Sequence, residues 1–400
     1  MGKQIVKKIL FINTVCYGST GQICKDLYEL AEKRGYNCCI AFGRGECDDK
    51  YNSIRIGNDL DVYKSVLMTR LFDNHGFSNK KSTIQFLNQI EQFDPDIIHL
   101  HNIHGYYLNI QILFNYLKTS RAKIVWTFHD CWPFTGHCVH FLSNHCYKWK
   151  NKCYDCKFHK EYPGSYMDRS EFNFKEKKKL FTLIKNKTTI IAVSDWLKNE
   201  LSESFFKDFN IKTIKNGIDL EIFHYRNSDF KEKYALLNKK VLLGVASVWT
   251  EKKGLNDFYY LSNLLDESFK IVLVGLNKKQ IKFVEKKYKN ILCIERTKNA
   301  VQLAEIYSSA DVFLNFTKEE SFGLVNYEAQ ACGVSVLTYD SGGTKETLFN
   351  SGSKVINNDL YSIKYILEHE EFKKDMSTMN INLIDKSNTF LKYLTLYDSL

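Results

Sequence analysis

Apolar residues recur along the 400-residue chain in two rhythms, short unbroken runs and longer stretches in which they return every third or fourth position. The first rhythm predicts buried strands and the second predicts helices with one covered face. In the first half the runs VKKILFINTV (6–15), NCCIAF (37–42), IIHLHN (97–102), AKIVWTFHD (122–130) and TTIIAVS (188–194) read as strands. Between them Ile23, Leu27, Leu30 and Ala31 fall at helical spacing, and further helices are expected near 59–72, 83–93, 110–117 and 173–184. Ser194 is placed to cap one more, SDWLKNEL. The second half repeats the alternation. KKVLLGVAS, FKIVLVG, ILCIER, DVFLNFT and VSVLTYD read as strands, separated by helices near 280–288, 300–310 and from Phe322 onward. A last helix is expected over 388–400, where Phe390, Leu394 and Tyr397 share a face. Strands alternating with helices imply parallel sheets covered on both faces, an α/β class whose ligands gather at the carboxyl ends of the strands.

Length and composition set the scale. With 44% hydrophobic residues, 400 residues suffice for two domains of roughly 200 residues, each with its own core. Three prolines and 20 glycines argue against disorder. A net charge of +10 points to an anionic partner: nucleic acid, a nucleotide-bearing substrate or an acidic membrane face. Twelve cysteines in a chain this long fit reduced thiols or a metal site better than a secreted disulfide scaffold. Lysines ahead of the first apolar run imitate a signal peptide, but the run holds Asn13 and reads as a strand. No segment reaches the roughly 20 apolar residues of a membrane span. The expected location is cytoplasmic, at most peripheral on the inner face of the cytoplasmic membrane.

The chemistry concentrates in EESFGLVNYEAQACGVSVLTYDSGGTKE, residues 319–346. Glu320 and Glu328 form an E-x7-E pair, the first at a strand-to-helix turn and the second two turns inside the helix. Backbone N–H groups near Phe322, Gly323 and Leu324 would lack intrahelical partners and carry the positive end of the helix dipole, a seat for a diphosphate. An amphipathic helix with two solvated glutamates is the bland alternative. The strand before the pair, the FG at the helix start and the following strand with SGGTKE favour the pocket.

This layout resembles the donor half of retaining family-4 glycosyltransferases of the GT-B type, in which two Rossmann-like domains face a cleft and the last helix crosses back to the first domain. The resemblance implies an N-terminal acceptor domain over 1–217, with Asn216-Gly217-Ile218-Asp219 leading out of it. It also implies a donor domain over 218–383 and a closing helix over 384–400. Glu320 would contact sugar hydroxyls and Glu328 the ribose. Lys253 matches the lysine that neutralises the donor diphosphate, but the family's arginine is replaced by Val248, so Lys252 or backbone N–H groups would take its share; Lys252 reads equally well as solvated. Arg296 and Thr297 would lie near the base, and Gly342, Gly343 and the turn before Glu346 would shape the pocket. The loop Gly18-Ser19-Thr20-Gly21 lacks the GxGxxG fingerprint. In the family such a loop faces donor phosphates and acceptor, so Gly18, Ser19 and Gly21 join the donor-binding set; a ligand-free tight turn is the alternative. His129, at the end of TFHD, matches the histidine that hydrogen-bonds the transferring sugar, while Asp130 either orients that ring, meets the acceptor or caps the turn. His99, His101 and His104 end the neighbouring strand.

The insert 131–170 is the most individual stretch. Cys138, Cys146, Cys153 and Cys156, spaced C-x7-C-x6-C-x2-C, supply the four thiolates a structural Zn²⁺ takes, in a segment with little apolar content. Unbound thiols or a disulfide fit the spacing equally. Lys148, Lys150, Lys152, Lys157 and Lys160 interleave with Trp149 and tyrosines, a mixture suited to an anionic lipid surface, to single-stranded nucleic acid or to a solvated loop. The insert resembles that of family-4 enzymes from bacterial surface polysaccharide pathways (colanic acid, capsule, O-antigen-like), which implies a saccharide acceptor on a lipid carrier.

The reaction so implied is metal-independent transfer of a hexose from a nucleoside diphosphate sugar, UDP favoured over GDP, with retention of configuration and no cofactor beyond the nucleotide sugar. A GT-B epimerase or hydrolase of nucleotide sugars is one alternative. A zinc-bearing nucleic-acid-binding protein is another, but it leaves the E-x7-E region unexplained, and no nucleic acid is expected as partner.

Overall fold

The structure is a computed structural model that describes residues 6–374 and 381–400. It divides into two compact units, one of residues up to Lys215 together with Phe390–Leu400, the other Asn216–Thr389.

The first unit is built on seven parallel strands: β1 (Lys8–Val15), β2 (Asn37–Arg44), β3 (Ser53–Arg55), β4 (Ile97–Leu100), β5 (Lys123–Phe128), β6 (Thr188–Ala192) and β7 (Asn210–Thr213). Their order is β3-β2-β1-β4-β5-β6-β7, a doubly wound arrangement in which the order reverses beside β1. The central strands are covered on both faces, so Ile9–Ile12 and Ile124–Trp126 are fully buried. The edge strands β3 and β7 are short and half exposed, and their apolar signal is correspondingly faint. The helix Gly18–Lys33 follows β1 directly and buries Ile23, Leu27 and Ala31 against the sheet. The helix Lys386–Asp398 closes this unit, burying Phe390, Tyr393 and Tyr397.

The second unit holds six parallel strands: β8 (Lys240–Val245), β9 (Phe269–Val274), β10 (Ile291–Ile294), β11 (Val312–Asn315), β12 (Ser335–Tyr339) and β13 (Lys354–Ile356). They run β10-β9-β8-β11-β12-β13. One core cluster, including Leu242, Phe258, Ile271, Leu314 and Ile363, packs against the sheet. The strand β13 and the helix Leu360–His369 lie beyond the elements read from the sequence. At the start of this unit the NGID segment runs beside the approach to the last helix. Ile218 N donates to Ile384 O at 2.8 Å and Lys386 N to Ile218 O at 2.9 Å, with Asp219 and Lys386 paired at 2.9 Å.

Two expectations are corrected. Gly18 to Gly21 is not a loop but the first turn of a helix. The cysteines are not all reduced, because Cys16, just after β1, is disulfide-bonded to Cys47.

Candidate active site

In the second unit a cavity of about 410 Å³ opens at the carboxyl ends of β8, β9 and β10. Its walls include Ser247 after β8, Gly275 after β9, Glu295, Arg296 and Thr297 after β10, and Glu328. This is where a parallel sheet leaves its backbone groups free for a ligand. Gly275 has φ of +99°, and a Cβ there would sit 1.8 Å from Ala246 O, so only glycine lets the two strand ends close up.

Glu328 enters the cavity from the helix Leu324–Ala331. The hydroxyl of Tyr307, on the helix Ala300–Ser309, donates to Glu328 Oε2 at 3.0 Å. Burial raises the Glu328 carboxyl to about 7, and the tyrosine bond opposes that rise. One carboxylate oxygen is thus tied by a fully buried phenol, which fixes how the group faces the cavity. Tyr307 carries no signal in the sequence that separates it from an ordinary core tyrosine.

Glu320 and Lys253 do not line this cavity but form a pair beside the same helix start. Lys253 Nζ reaches Glu320 Oε2 at 2.6 Å, and Glu320 Oε1 accepts from Ser321 N at 3.1 Å. Lys252 pairs with Glu319 at 3.0 Å, so it is not merely solvated. Gly343 N donates to Glu320 O at 3.2 Å, tying the second glycine pair to the glutamate's backbone. The helix begins at Leu324, with Gly323 as N-cap at φ +96°. The Phe322 ring is buried edge-on against Tyr327, so that side chain serves packing and only its backbone is left for a ligand. Val248, where the family arginine is expected, is 68% exposed.

In the first unit the strand-end histidines form a network. His129 is half-buried, with Nε2 3.0 Å from His101 Nδ1 and the two rings stacked at 5.3 Å. Burial lowers the His129 imidazole to about 4, so it is neutral at pH 7. The buried Nε2 of His101 has no hydrogen-bond partner among the described residues. Across this contact one neutral imidazole donates its N–H and the other accepts. His99 joins Tyr397 OH at 2.6 Å to Thr127 Oγ1 at 2.8 Å, linking the last helix to β4 and β5. Asp130 is turned away from His129. Its Oδ2 meets His104 Nε2 at 2.7 Å and its Oδ1 accepts from Trp132 N at 2.9 Å, so it caps the turn and holds His104. Gly18 and Ser19 are exposed at the helix start, whereas Gly21 is a packing glycine whose Cβ would lie 2.6 Å from the Cys16 carbonyl carbon.

Cys138, Cys146, Cys153 and Cys156 line one cavity of about 440 Å³ in the insert. Among the described residues, however, no three His, Cys, Asp or Glu side chains stand together as a metal shell. The insert is also less poor in apolar packing than expected. Phe134, Phe141 and Trp149 form an aromatic nucleus with ring separations of 4.8 and 4.9 Å about Trp149. The buried Lys177 donates to Trp132 O and Thr135 O at 2.8 and 3.0 Å and pins the start of the segment. Of the lysines read as a cationic face, Lys148, Lys150 and Lys152 are engaged with Tyr154 O and Asp155 O, Glu203 and Glu171.

A glycosyltransferase family 4 profile matches residues 21–222, half of the chain. The chain belongs to that family. A glycosyl transferases group 1 profile matches 227–373 of the same glycosyltransferase. Its relatives include the putative colanic acid biosynthesis glycosyl transferase WcaC of Escherichia coli, 21% identical over 86% of this chain and 85% of that one. The capsular polysaccharide biosynthesis glycosyltransferase CapM of Staphylococcus aureus is 30% identical over 41% of this chain and 46% of its own. Among solved structures, sucrose-phosphate synthase from Thermosynechococcus elongatus superposes with a TM-score of 0.73 at 15% identity, covering 98% of both chains. Anabaena HepE in complex with UDP and glucose gives 0.67 at 12%, covering 98% of this chain and all of that one. The glycosyltransferase therefore has the GT-B fold, two Rossmann-like parallel-sheet units. Among the described residues no helix is long and apolar enough to cross a membrane.

Proposed function

We propose that this glycosyltransferase moves a hexose from a nucleoside diphosphate sugar to a saccharide acceptor, with retention of configuration, in the assembly of a surface polysaccharide. The observation that carries the donor half of this reading is the cavity at the ends of β8–β10 with Glu328 in its wall, one oxygen held by Tyr307. A carboxylate so placed has its second oxygen available to accept from a ribose diol, and Arg296 and Thr297 line the same cavity to meet the base. UDP is the preferred nucleotide because HepE, of the same fold, was solved with it.

Glu320 takes sugar hydroxyls, and Lys253, now paired with it, exchanges that partner for the diphosphate as charge builds on the leaving group. Backbone N–H groups from Phe322 to Leu324 share the load, with no catalytic cation in the scheme. On the first unit the neutral His129 is assigned to the transferring sugar, and Gly18, Ser19 and Gly21 to the surroundings of the phosphates. The names of the colanic acid and capsule relatives support the polysaccharide setting, and a lipid-linked acceptor and placement at the inner membrane face are proposed along with it. The domain limits follow the family pattern, 1–217, 218–383 and 384–400. The four insert cysteines are proposed as ligands of a structural Zn²⁺, which would have to draw them from a shared cavity into a tetrahedral shell. No more than a substoichiometric trace of zinc in the purified protein ends that assignment.

The test of the function is incubation with UDP-, GDP- and ADP-hexoses, with and without saccharide acceptors, and NMR of the product's anomeric proton. Acceptor-dependent transfer with retained configuration is expected. Conversion of donor without acceptor would make the chain a hydrolase or epimerase instead.

A further inference from the structure

The strands β1 and β2 run in register as far as Val15 and Arg44, and just past that point the two chains are joined by the Cys16–Cys47 disulfide, 5.2 Å from Cα to Cα. The bond sits at the carboxyl edge of the first sheet, where a parallel sheet gathers its ligands. Cys16 leads into the helix Gly18–Lys33, whose N-cap, Tyr17, makes no side-chain capping bond. The first turn is held by its surroundings instead. Asn13 Nδ2 donates to Val15 O at 2.9 Å, and the Tyr17 ring covers Gly45, where a Cβ would lie 2.5 Å from it. The disulfide lies behind this turn without covering it, since Cys16 is buried while Tyr17, Gly18 and Ser19 are exposed.

Beyond Cys47 the same loop is tied to the helix without sulfur. Lys25 pairs with Asp48 at 3.3 Å, Lys50 with Glu29 at 2.7 Å, and the Tyr51 hydroxyl donates to Glu29 at 2.6 Å. Breaking the S–S bond therefore leaves 48–52 anchored and frees only the short pieces 16–19 and 45–47. Cys47 is half-buried, so its sulfur is the one an outside thiol reaches, whereas Cys16 is shielded. The neighbouring thiols do not compete. Cys24 on the same helix and Cys38 and Cys39 on β2 are buried, and burial raises all three and suppresses their thiolates. A chain with two cores of its own does not need one staple to fold, and a single disulfide among retained thiols is of the reversible, sensing kind.

We propose that Cys16 and Cys47 form a reversible thiol–disulfide site that sets how firmly the first turn of the helix Gly18–Lys33 is held. To form the bond, the Cys47 thiolate attacks the disulfide of an oxidant, either glutathione disulfide or an oxidised dithiol protein, and one oxidant thiolate leaves and takes up a proton. The Cys16 thiolate then attacks Cys47 Sγ in the mixed disulfide and expels the second thiol. Two cysteine thiols are oxidised, one disulfide is reduced to two thiols, and exchange with a dithiol runs the sequence backward. With the bond closed the turn is fixed in place for a ligand. With the bond open it is in place only part of the time, and apparent affinity falls by that fraction. The consequence for the donor rests on the assignment of Gly18 and Ser19 to the surroundings of the phosphates, whereas the switch itself is read without any nucleotide.

In the experiment the full chain is equilibrated in mixtures of reduced and oxidised dithiothreitol, thiols are trapped by alkylation, and the joined Cys16 and Cys47 peptides are quantified by mass spectrometry. Backbone hydrogen exchange is measured on both forms, as are initial rates with whichever of the UDP-, GDP- and ADP-hexoses is turned over. Occupancy of the bond is expected to follow the mixture in both directions. Reduction should speed exchange at 17–19 and 45–47 by about tenfold or more and leave 51 and 52 unchanged. Donor KM should rise by about three- to tenfold on reduction, with kcat within about twofold. Cys47→Ser should match the reduced wild type in every mixture, and Cys293→Ser, which removes a half-buried thiol of the second unit, should switch as wild type does. A bond that never forms, that dithiothreitol cannot open in the folded chain, or whose state leaves exchange at 17–19 and 45–47 unchanged overturns the proposal. An equal response to oxidant in Cys47→Ser overturns it as well. Exchange that responds while KM stays level keeps the switch and removes Gly18 and Ser19 from the donor assignment. Exchange that responds while neither form transfers sugar keeps the switch and removes the proposed hexose transfer.

Discussion

Replacing Tyr307 by phenylalanine removes one hydroxyl and keeps the ring that packs against Phe313 and Phe223. The lost bond is the 3.0 Å contact to Glu328, whose carboxyl burial has already raised to about 7. A hydrogen bond to a charged group is worth about 1.5–3 kcal/mol, and 1.36 kcal/mol is one pKa unit, so the carboxyl should climb by about one to two units. The ionised fraction at pH 7 then drops from about one half to about a tenth or less. The carboxylate, not the acid, accepts both ribose hydroxyls, so donor affinity should rise with pH through about 7 in the wild type. In Tyr307→Phe that midpoint should move up by the same one to two units, with donor KM at pH 7 raised about five- to fiftyfold and the difference closing toward pH 9.5. The assay is initial-rate kinetics over pH 5.5–9.5 with acceptor saturating. An unchanged midpoint in the variant would refute the assignment of Tyr307 as the group that positions Glu328.

Glu320→Ala and Lys253→Ala should each lower kcat/KM by about 10- to 100-fold while the melting temperature stays near wild type, because their ion pair is partly exposed. A double-mutant cycle on the rates should show coupling of more than about 0.5 kcal/mol; strict additivity would mean the two act independently. Lys177 is buried, and burial depresses its ammonium from 10.5 to about 7. Between those pH values the unfolded chain holds more protons than the folded one, so stability should rise with pH across that window. Lys177→Met should remove that slope from thermal melts. Gly275→Ala forces a Cβ against Ala246 O and should destabilise the second unit by more than about 2 kcal/mol in denaturant unfolding.

The two-unit α/β plan was legible because most of the central strands are buried on both faces, and an unbroken apolar run such as KVLLGV has no other reading. The edge strands β7 and β13 were not legible, being three or four residues long and half exposed. Of the residues proposed for the donor, Glu328, from within its helix, and Arg296 and Thr297, after β10, line one cavity. The pairing of Lys253 with Glu320 joins residues 67 apart in sequence, and no local pattern encodes such a contact. The His101–His129 bond and the Tyr307–Glu328 bond are hidden for the same reason. The apolar side chains that the helix Asp59–Phe72 leaves exposed were not legible, because its half-buried Val62 and Val66 put apolar positions on the covered side as well. The disulfide between Cys16 and Cys47 was missed because a count of cysteines carries no pairing.

The donor pocket is tested most directly by a crystal structure of the complex with UDP. The ribose hydroxyls are expected within hydrogen-bond distance of the Glu328 carboxylate, with the base toward Arg296 and the diphosphate at Lys253. A nucleotide bound elsewhere on the chain, or seated in the cavity with Glu328 out of its reach, would contradict the assignment of the site.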